Sequence, residues 1–143
     1  MKIQSVSTDL ISQVWPKIEG FLDAALRSVP DYDASSENYS LEHIKVFLTQ
    51  GRWQLIVASS DDGTIHGAAT IEYINHPNAR VAFLTCMGGK GIISTENRSK
   101  LLNLLRSHGA TKIECATSKQ SLSRLWSRWG GLTEKYRLLE ASI

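Results

Sequence analysis

Three glycines, Gly88, Gly89 and Gly91, fall within four residues between an apolar run and a leucine-rich one, and they separate two kinds of pattern. Upstream, short alternating apolar runs are punctuated by turn residues, as in hairpins. Downstream, helical and strand periodicities take turns, as in crossover units. This order predicts an α/β (α+β) domain with a mixed, mostly antiparallel sheet flanked by helices, and the Met87-Gly88-Gly89-Lys90-Gly91 turn marks the change of regime. A strand running through such a turn into a helix N-terminus also offers outward N–H groups and the positive end of a helix dipole to an anion. The competing reading is that the glycines only turn the chain.

Along the chain, Lys2 to Val6 predicts a short strand, and Thr8 or Asp9 the N-cap of an amphipathic helix carrying Leu10, Ile11, Val14, Trp15, Ile18, Phe21, Leu22, Ala25 and Leu26. Pro16 inside that pattern predicts a kink or a junction of two helices. Residues 29–38 read as a loop, and Ser40 as the cap of a second helix ending near Gly51. Trp53 to Ser59, Ile65 to Ile74 and Arg80 to Met87 predict three consecutive strands, turning at Asp61-Asp62-Gly63 and at His76 to Ala79. Beyond the glycines come a helix through Leu101, Leu102, Leu104 and Leu105, a strand Lys112 to Ala116, a helix Lys119 to Trp129 and a closing strand Leu132 to Leu139. The order is β-α-α-β-β-β-α-β-α-β, with no repeat and no dividing linker, so residues 1–143 read as one domain.

Composition removes several classes of function. A formal charge of +2 without a long basic run gives no footprint of a dedicated nucleic-acid binder. Lys119, Arg124 and Arg128 nevertheless share a broad face of the last helix, with Lys100 and Arg106 on the one before, a set read first as a solvated face. Cys86 and Cys115 each sit in an apolar run and read as buried, reduced thiols. The four histidines lack metal-ligand spacing and there is no Cys-x-x-Cys, so no metal is expected. No Gly-x-Ser-x-Gly elbow or Walker lysine motif supports a hydrolase or NTPase. The N-terminus has no apolar core of a signal peptide, and no stretch is long enough to span a membrane, so a cytoplasmic protein is expected.

The element order, together with the tail Ser121-Leu122-Ser123-Arg124-Leu125-Trp126-Ser127-Arg128-Trp129-Gly130-Gly131-Leu132, resembles the GNAT superfamily of acyl-CoA-dependent N-acyltransferases over nearly the whole chain. In the family's Tyr-x-x-x-Gly-Phe pattern, Trp126 stands at the Tyr place and Leu132 at the aromatic one. The segments Val14 to Ile18 and Gly51 to Leu55 are also similar to a group of short GNAT-like proteins from bacteriophage genomes. The resemblance implies acetyl-CoA as acyl donor and an unidentified amine as acceptor. It implies that the strand through Leu84, Thr85, Cys86 and Met87 pairs with the pantetheine arm. It further implies that Gly88, Gly89, Lys90, Gly91 and Ile92 hold the pyrophosphate. Of the family's Gln/Arg-x-x-Gly-x-Gly/Ala pattern only Gly91 fits; Gly88 replaces the Gln or Arg, and Ile93 stands where a small residue would admit the phosphates.

Glu72 resembles in position the family's catalytic base, and alternation puts it on the opposite sheet face from Ile71 and Tyr73; the bland alternative is a solvent-facing carboxylate. Because Trp126 has no labile proton at neutral pH, Tyr136 and Cys86 are the candidate acids, each against a packing role. The resemblance implies two alternative functions: an acetyl-CoA-dependent N-acyltransferase, or a degenerate GNAT fold, phage-encoded if the narrower likeness holds, acting through a protein partner as a virion component or host-directed factor. They part at the gap between the strand ending at Met87 and the one beginning at Lys112. An enzyme needs it open, and Ile92, Ile93 or Trp126 lodged there would close it.

Overall fold

The strand Gln54–Ser59 sends Leu55 and Val57 to one side and Ile56 and Ala58 to the other, and all four are buried. Both faces of the sheet therefore need a covering layer, and the helices divide accordingly. A computed structural model describes residues 1–28, 39–117 and 120–143. Its elements are β1 (Lys2–Val6), α1 (Ile11–Arg27), α2 (Leu41–Thr49), β2 (Gln54–Ser59), β3 (Ile65–His76), β4 (Ala79–Gly89), α3 (Arg98–Ser107), β5 (Lys112–Cys115) and α4 (Gln120–Gly130), with a 3-10 turn at Thr8–Leu10. The five strands lie in the order β1-β2-β3-β4-β5, antiparallel except for the parallel pair β4 and β5.

On one face, Ile11, Trp15, Ile18, Leu22 and Leu26 of α1 recur at helical spacing and pack with Ile44 and Leu48 of α2 onto Leu55, Val57, Ala68 and Cys86. On the other, Leu101 and Leu105 of α3 and Trp126 and Trp129 of α4 pack onto Ile56, Ala69, Ile71, Ala82 and Leu84. Each fully buried Leu or Ile in these layers contributes about 1.5–3 kcal/mol of transfer free energy. Ser40 begins α2 with a capping box in which His43 takes the place usual for Glu: the His43 N–H donates to the Ser40 hydroxyl and the Ser40 N–H to His43 Nδ1.

Two expectations need correction. α1 runs unbroken through Pro16, which lies in its second turn, so it is one helix preceded by a 3-10 turn rather than two helices meeting at the proline. The closing strand Leu132 to Leu139 is absent. Gly131, at φ 68°, turns the chain out of α4 and Leu132 tucks back onto the α4 layer, after which Tyr136, Leu138 and Leu139 stand exposed. Arg137 pairs within the segment with Glu134 and Lys135 reaches back to Glu114 of β5, and among the described residues no apolar layer covers the segment to reward a ladder. Lys119 lies outside the described residues, and so does the expected loop at 29–38.

Candidate functional site

The ladder between β4 and β5 runs from Val81 opposite Lys112 to Leu84 opposite Cys115 and stops there, although β4 continues to Gly89. At the stopping point β4 carries a bulge: Ile71 of β3 pairs with Leu84 and Thr70 with Cys86, leaving Thr85 as the extra residue. Leu84 consequently faces the α3 and α4 layer while Cys86 faces α1. Beyond the bulge, Thr85 to Gly89 have β3 on one side and, among the described residues, no strand on the other. Where an opening was expected, β4 therefore has an unpaired edge among the described residues. A pair of hydroxyls pins the bulge, with Thr70 and Thr85 Oγ1 2.6 Å apart and the Thr85 hydroxyl 3.0 Å from the Thr70 carbonyl oxygen.

Ile92 is 2% and Trp126 5% exposed, and both belong to the cluster that contains Leu84, with Ile93 and Met87 packed against it. Trp129 adds a clasp, its indole N–H donating to the Ser94 carbonyl at 3.0 Å. The α4 side of the gap is therefore occupied by protein, while the strand edge itself stays unpaired.

The glycines serve contacts within the fold. A Cβ at Gly88 would lie 2.0 Å from the Phe21 carbonyl oxygen of α1, and one at Gly67 2.2 Å from the Lys90 carbonyl oxygen. Lys90 donates its N–H to the His66 carbonyl at 2.8 Å, so the chain leaving β4 crosses the end of β3. Gly91, at φ 92°, then closes onto Ala58 and Met1. Glu96 pairs with the Met1 amino group and Lys100 donates to the Met1 carbonyl, which carries the connection to the β1 side before α3 begins at Arg98. The turn therefore does not open directly into a helix, as its sequence suggested; residues 90–97 intervene.

Within that connection the backbone N–H groups from Gly91 to Glu96 make no hydrogen bond among the described residues. These N–H groups lie beyond Gly88 and Gly89, in a stretch flanked by the exposed cations Lys90 and Arg98, with Ile92 buried in its middle. Asn97, 1% exposed, braces the connection by donating from Nδ2 to the Gly91 carbonyl at 2.7 Å.

Glu72 lies half-buried opposite Phe83, and alternation along β3 puts it on the α1 and α2 side with Thr70. Tyr39 stands with it: burial first, then the Glu72 and Cys86 charges, push its phenol above the ordinary value. The ring is fixed edge-on against Trp53 at 4.7 Å. Sequence reasoning passed over Tyr39, although its place just before the Ser40 cap, where an apolar side chain packs back onto the helix, was a usable signal. The Cys86 thiol points at the Leu22 carbonyl, 3.8 Å away, and burial pushes it up to about 11, so it is a protonated, packed thiol at neutral pH. Tyr136 is 66% exposed. Its neighbour Lys135 is tied to Glu114, which sits opposite Phe83, five residues before Gly88 and so about 16 Å down the strand from it. Glu72 and Cys86 thus share the α1 face, and Tyr136 lies on a different part of the molecule.

Cavities lie elsewhere among the described residues. One of about 300 Å³ is bounded by the β3–β4 turn, Lys112 and Lys135, and one of about 450 Å³ by β1 and the β2–β3 turn. Among the described residues no three His, Cys, Asp or Glu are grouped to hold a metal ion, and no helix is long and apolar enough to cross a membrane.

No family model and no curated protein matches the sequence. Solved structures do match the fold. A predicted acetyltransferase from Clostridium acetobutylicum, determined with acetyl-CoA, superposes with a TM-score of 0.63 at 16% identity, covering 99% of this chain and 95% of that one. An aminoglycoside acetyltransferase from an uncultured soil metagenomic sample, in complex with sisomicin, gives 0.67 at 12% identity over 99% and 95%. The fold is GNAT-like. A ribosomal-protein-alanine N-acetyltransferase from Brucella melitensis biovar Abortus 2308 matches the same GNAT-like frame over 100% of both chains, with a TM-score of 0.66 at 11% identity. At such identities the likeness establishes the GNAT-like architecture, and chemistry has to be argued from the residues present.

Proposed function

We propose that the chain transfers an acyl group, acetyl in the simplest case, from acyl-CoA to an amine. The observation that carries this reading is the unpaired edge of β4 beyond the Thr85 bulge. Its free backbone N–H and C=O groups suit the amide-rich pantetheine arm, and the N–H run from Gly91 to Glu96, with Lys90 and Arg98 beside it, suits a pyrophosphate. In the reaction the amine nitrogen attacks the thioester carbonyl carbon, a C–N bond forms, the C–S bond breaks, and the leaving thiolate takes up a proton. Glu72 is assigned to receive the amine proton, with Tyr39 beside it as a packed phenol that borders the acceptor. Cys86, protonated and directed at the Leu22 carbonyl, packs beside that pair, and the thiolate is protonated by water.

The occupied α4 side favours a second reading, in which the GNAT-like fold has lost transfer and works by binding another protein, the role the likeness to phage-encoded proteins would imply. Release of free thiol from acetyl-CoA, measured with a panel of primary amines, separates the two. Amine-dependent release supports transfer, and release no faster than buffer hydrolysis for every amine rejects it.

A further inference from the structure

The formal charge of +2 conceals a separation of charge along the chain. Residues 98–143 carry nine Lys or Arg against three Asp or Glu, whereas residues 1–97 carry seven against eleven. The fold turns this into a spatial separation, because α3 and α4 cover one face of the sheet and α1 and α2 the other. Neither α3 nor α4 contains a single carboxylate. Arg98, Lys100, Arg106, Arg124 and Arg128 are all exposed on them, and none has a carboxylate partner among the described residues. The other exposed positions of α3 are Ser or Asn, hydrogen-bond donors without apolar bulk.

A solvated helix face normally mixes signs, and α1 does so with Lys17, Glu19, Asp23 and Arg27. Arg98 moreover opens α3 with a cation at the positive end of the helix dipole, a local conflict that folding alone does not reward. Cations interspersed with small hydroxyl and amide donors, and no carboxylates, form the footprint that phosphodiester oxygens select. A lipid surface would ask for a broad apolar face to insert; the outer face of α3 has none, and α4 offers the pair Leu122 and Leu125, 39% and 40% exposed, so the vesicle comparison below separates lipid from phosphodiester binding. We propose that the α3 and α4 face binds the phosphate backbone of a nucleic acid, independently of base sequence.

Fluorescence anisotropy of the whole chain with labelled single-stranded RNA and with labelled duplex DNA tests this across a salt series. Neutralising about four phosphates gives a slope of about −3 to −4 in log affinity against log salt, a loss of about 100-fold between 50 and 200 mM. The triple variant Arg106→Gln, Arg124→Gln, Arg128→Gln, with its thermal midpoint confirmed unchanged, is expected to lower the slope by about 2 to 3. Lys17→Gln with Lys45→Gln, on the opposite face, is expected to leave it unchanged. Tighter binding of RNA or of DNA identifies which backbone is preferred and supports the proposal either way. It is overturned if neither binds at 50 mM salt, if the triple variant binds as well as the parent, or if polyglutamate or anionic phosphatidylglycerol vesicles bind as tightly. Full displacement by saturating acetyl-CoA also overturns it, since the face would then be the coenzyme's own site.

Discussion

Replacing Gly88 by alanine tests whether the glycine-rich segment is built for the protein's own backbone. The added methyl would stand 2.0 Å from the Phe21 carbonyl oxygen and 2.7 Å from its carbon, where ordinary contact begins near 3.4 Å. Backbone lies on both sides of the clash, so no rotamer change relieves it, and α1 and β4 must separate by about 1 Å. That movement loosens Ile18 and Leu22, both 0% exposed. Overpacking of this kind costs about 1–3 kcal/mol, and a backbone clash belongs at the upper end. At about 2–4 °C per kcal/mol, Gly88→Ala should lower the thermal midpoint by about 6–12 °C. Gly20→Ala supplies the contrast: it sits inside α1 with nothing within 4 Å of the new methyl, and helix propensity alone should stabilise by about 0.5–1 kcal/mol. Melting of both variants by circular dichroism is the assay. A Gly88→Ala midpoint within about 1 °C of the parent would refute the close-approach argument and return that glycine to a role at a ligand.

Glu72→Gln is expected to lower kcat/KM for amine acetylation by about 10²- to 10⁴-fold while leaving acetyl-CoA affinity unchanged; equal loss of affinity would mark Glu72 as structural. Burial pushes both Cys86 and Cys115 up to about 11 from an ordinary value of 9.0, so the native state favours the neutral thiols. Their contribution to stability is complete below pH 9 and is lost as pH rises from 9 toward 11. Urea midpoints should therefore fall between pH 9 and 10 in the parent and fall less in a Cys86→Ala, Cys115→Ala variant, where only the raised phenols of Tyr39 and Tyr73 still contribute, and parallel curves would contradict the assignment.

Much of the fold was legible because local and global signals agree. The apolar spacing of α1, the Ser40 cap and the turn at Asp61-Asp62-Gly63 each predicted what is present. The site was less legible because its decisive features depend on contacts between distant segments. The Thr85 bulge is visible only in the pairing of β3 with β4. The crossing of residues 90–97 over the sheet depends on Gly67, a lone glycine more than twenty residues before Lys90. Leu132 to Leu139 has enough β-forming residues to read as a strand, yet Tyr136, Leu138 and Leu139 stand exposed and no layer of the described residues covers them. A net charge of +2 likewise hid two helices without carboxylates, since only the fold sets them on one face. Tyr39 and Glu72 are more than thirty residues apart, and only the fold brings the phenol within electrostatic reach of the carboxylate.

Calorimetric titration of the whole chain with acetyl-CoA tests the central claim, that the free edge of β4 beyond Leu84 receives an acyl-CoA. Saturable binding at one site per chain is expected, abolished by Met87→Pro, which removes a backbone donor from that edge, in a variant whose far-ultraviolet spectrum is intact. Absence of heat up to millimolar acetyl-CoA, or binding that Met87→Pro leaves untouched, would contradict it.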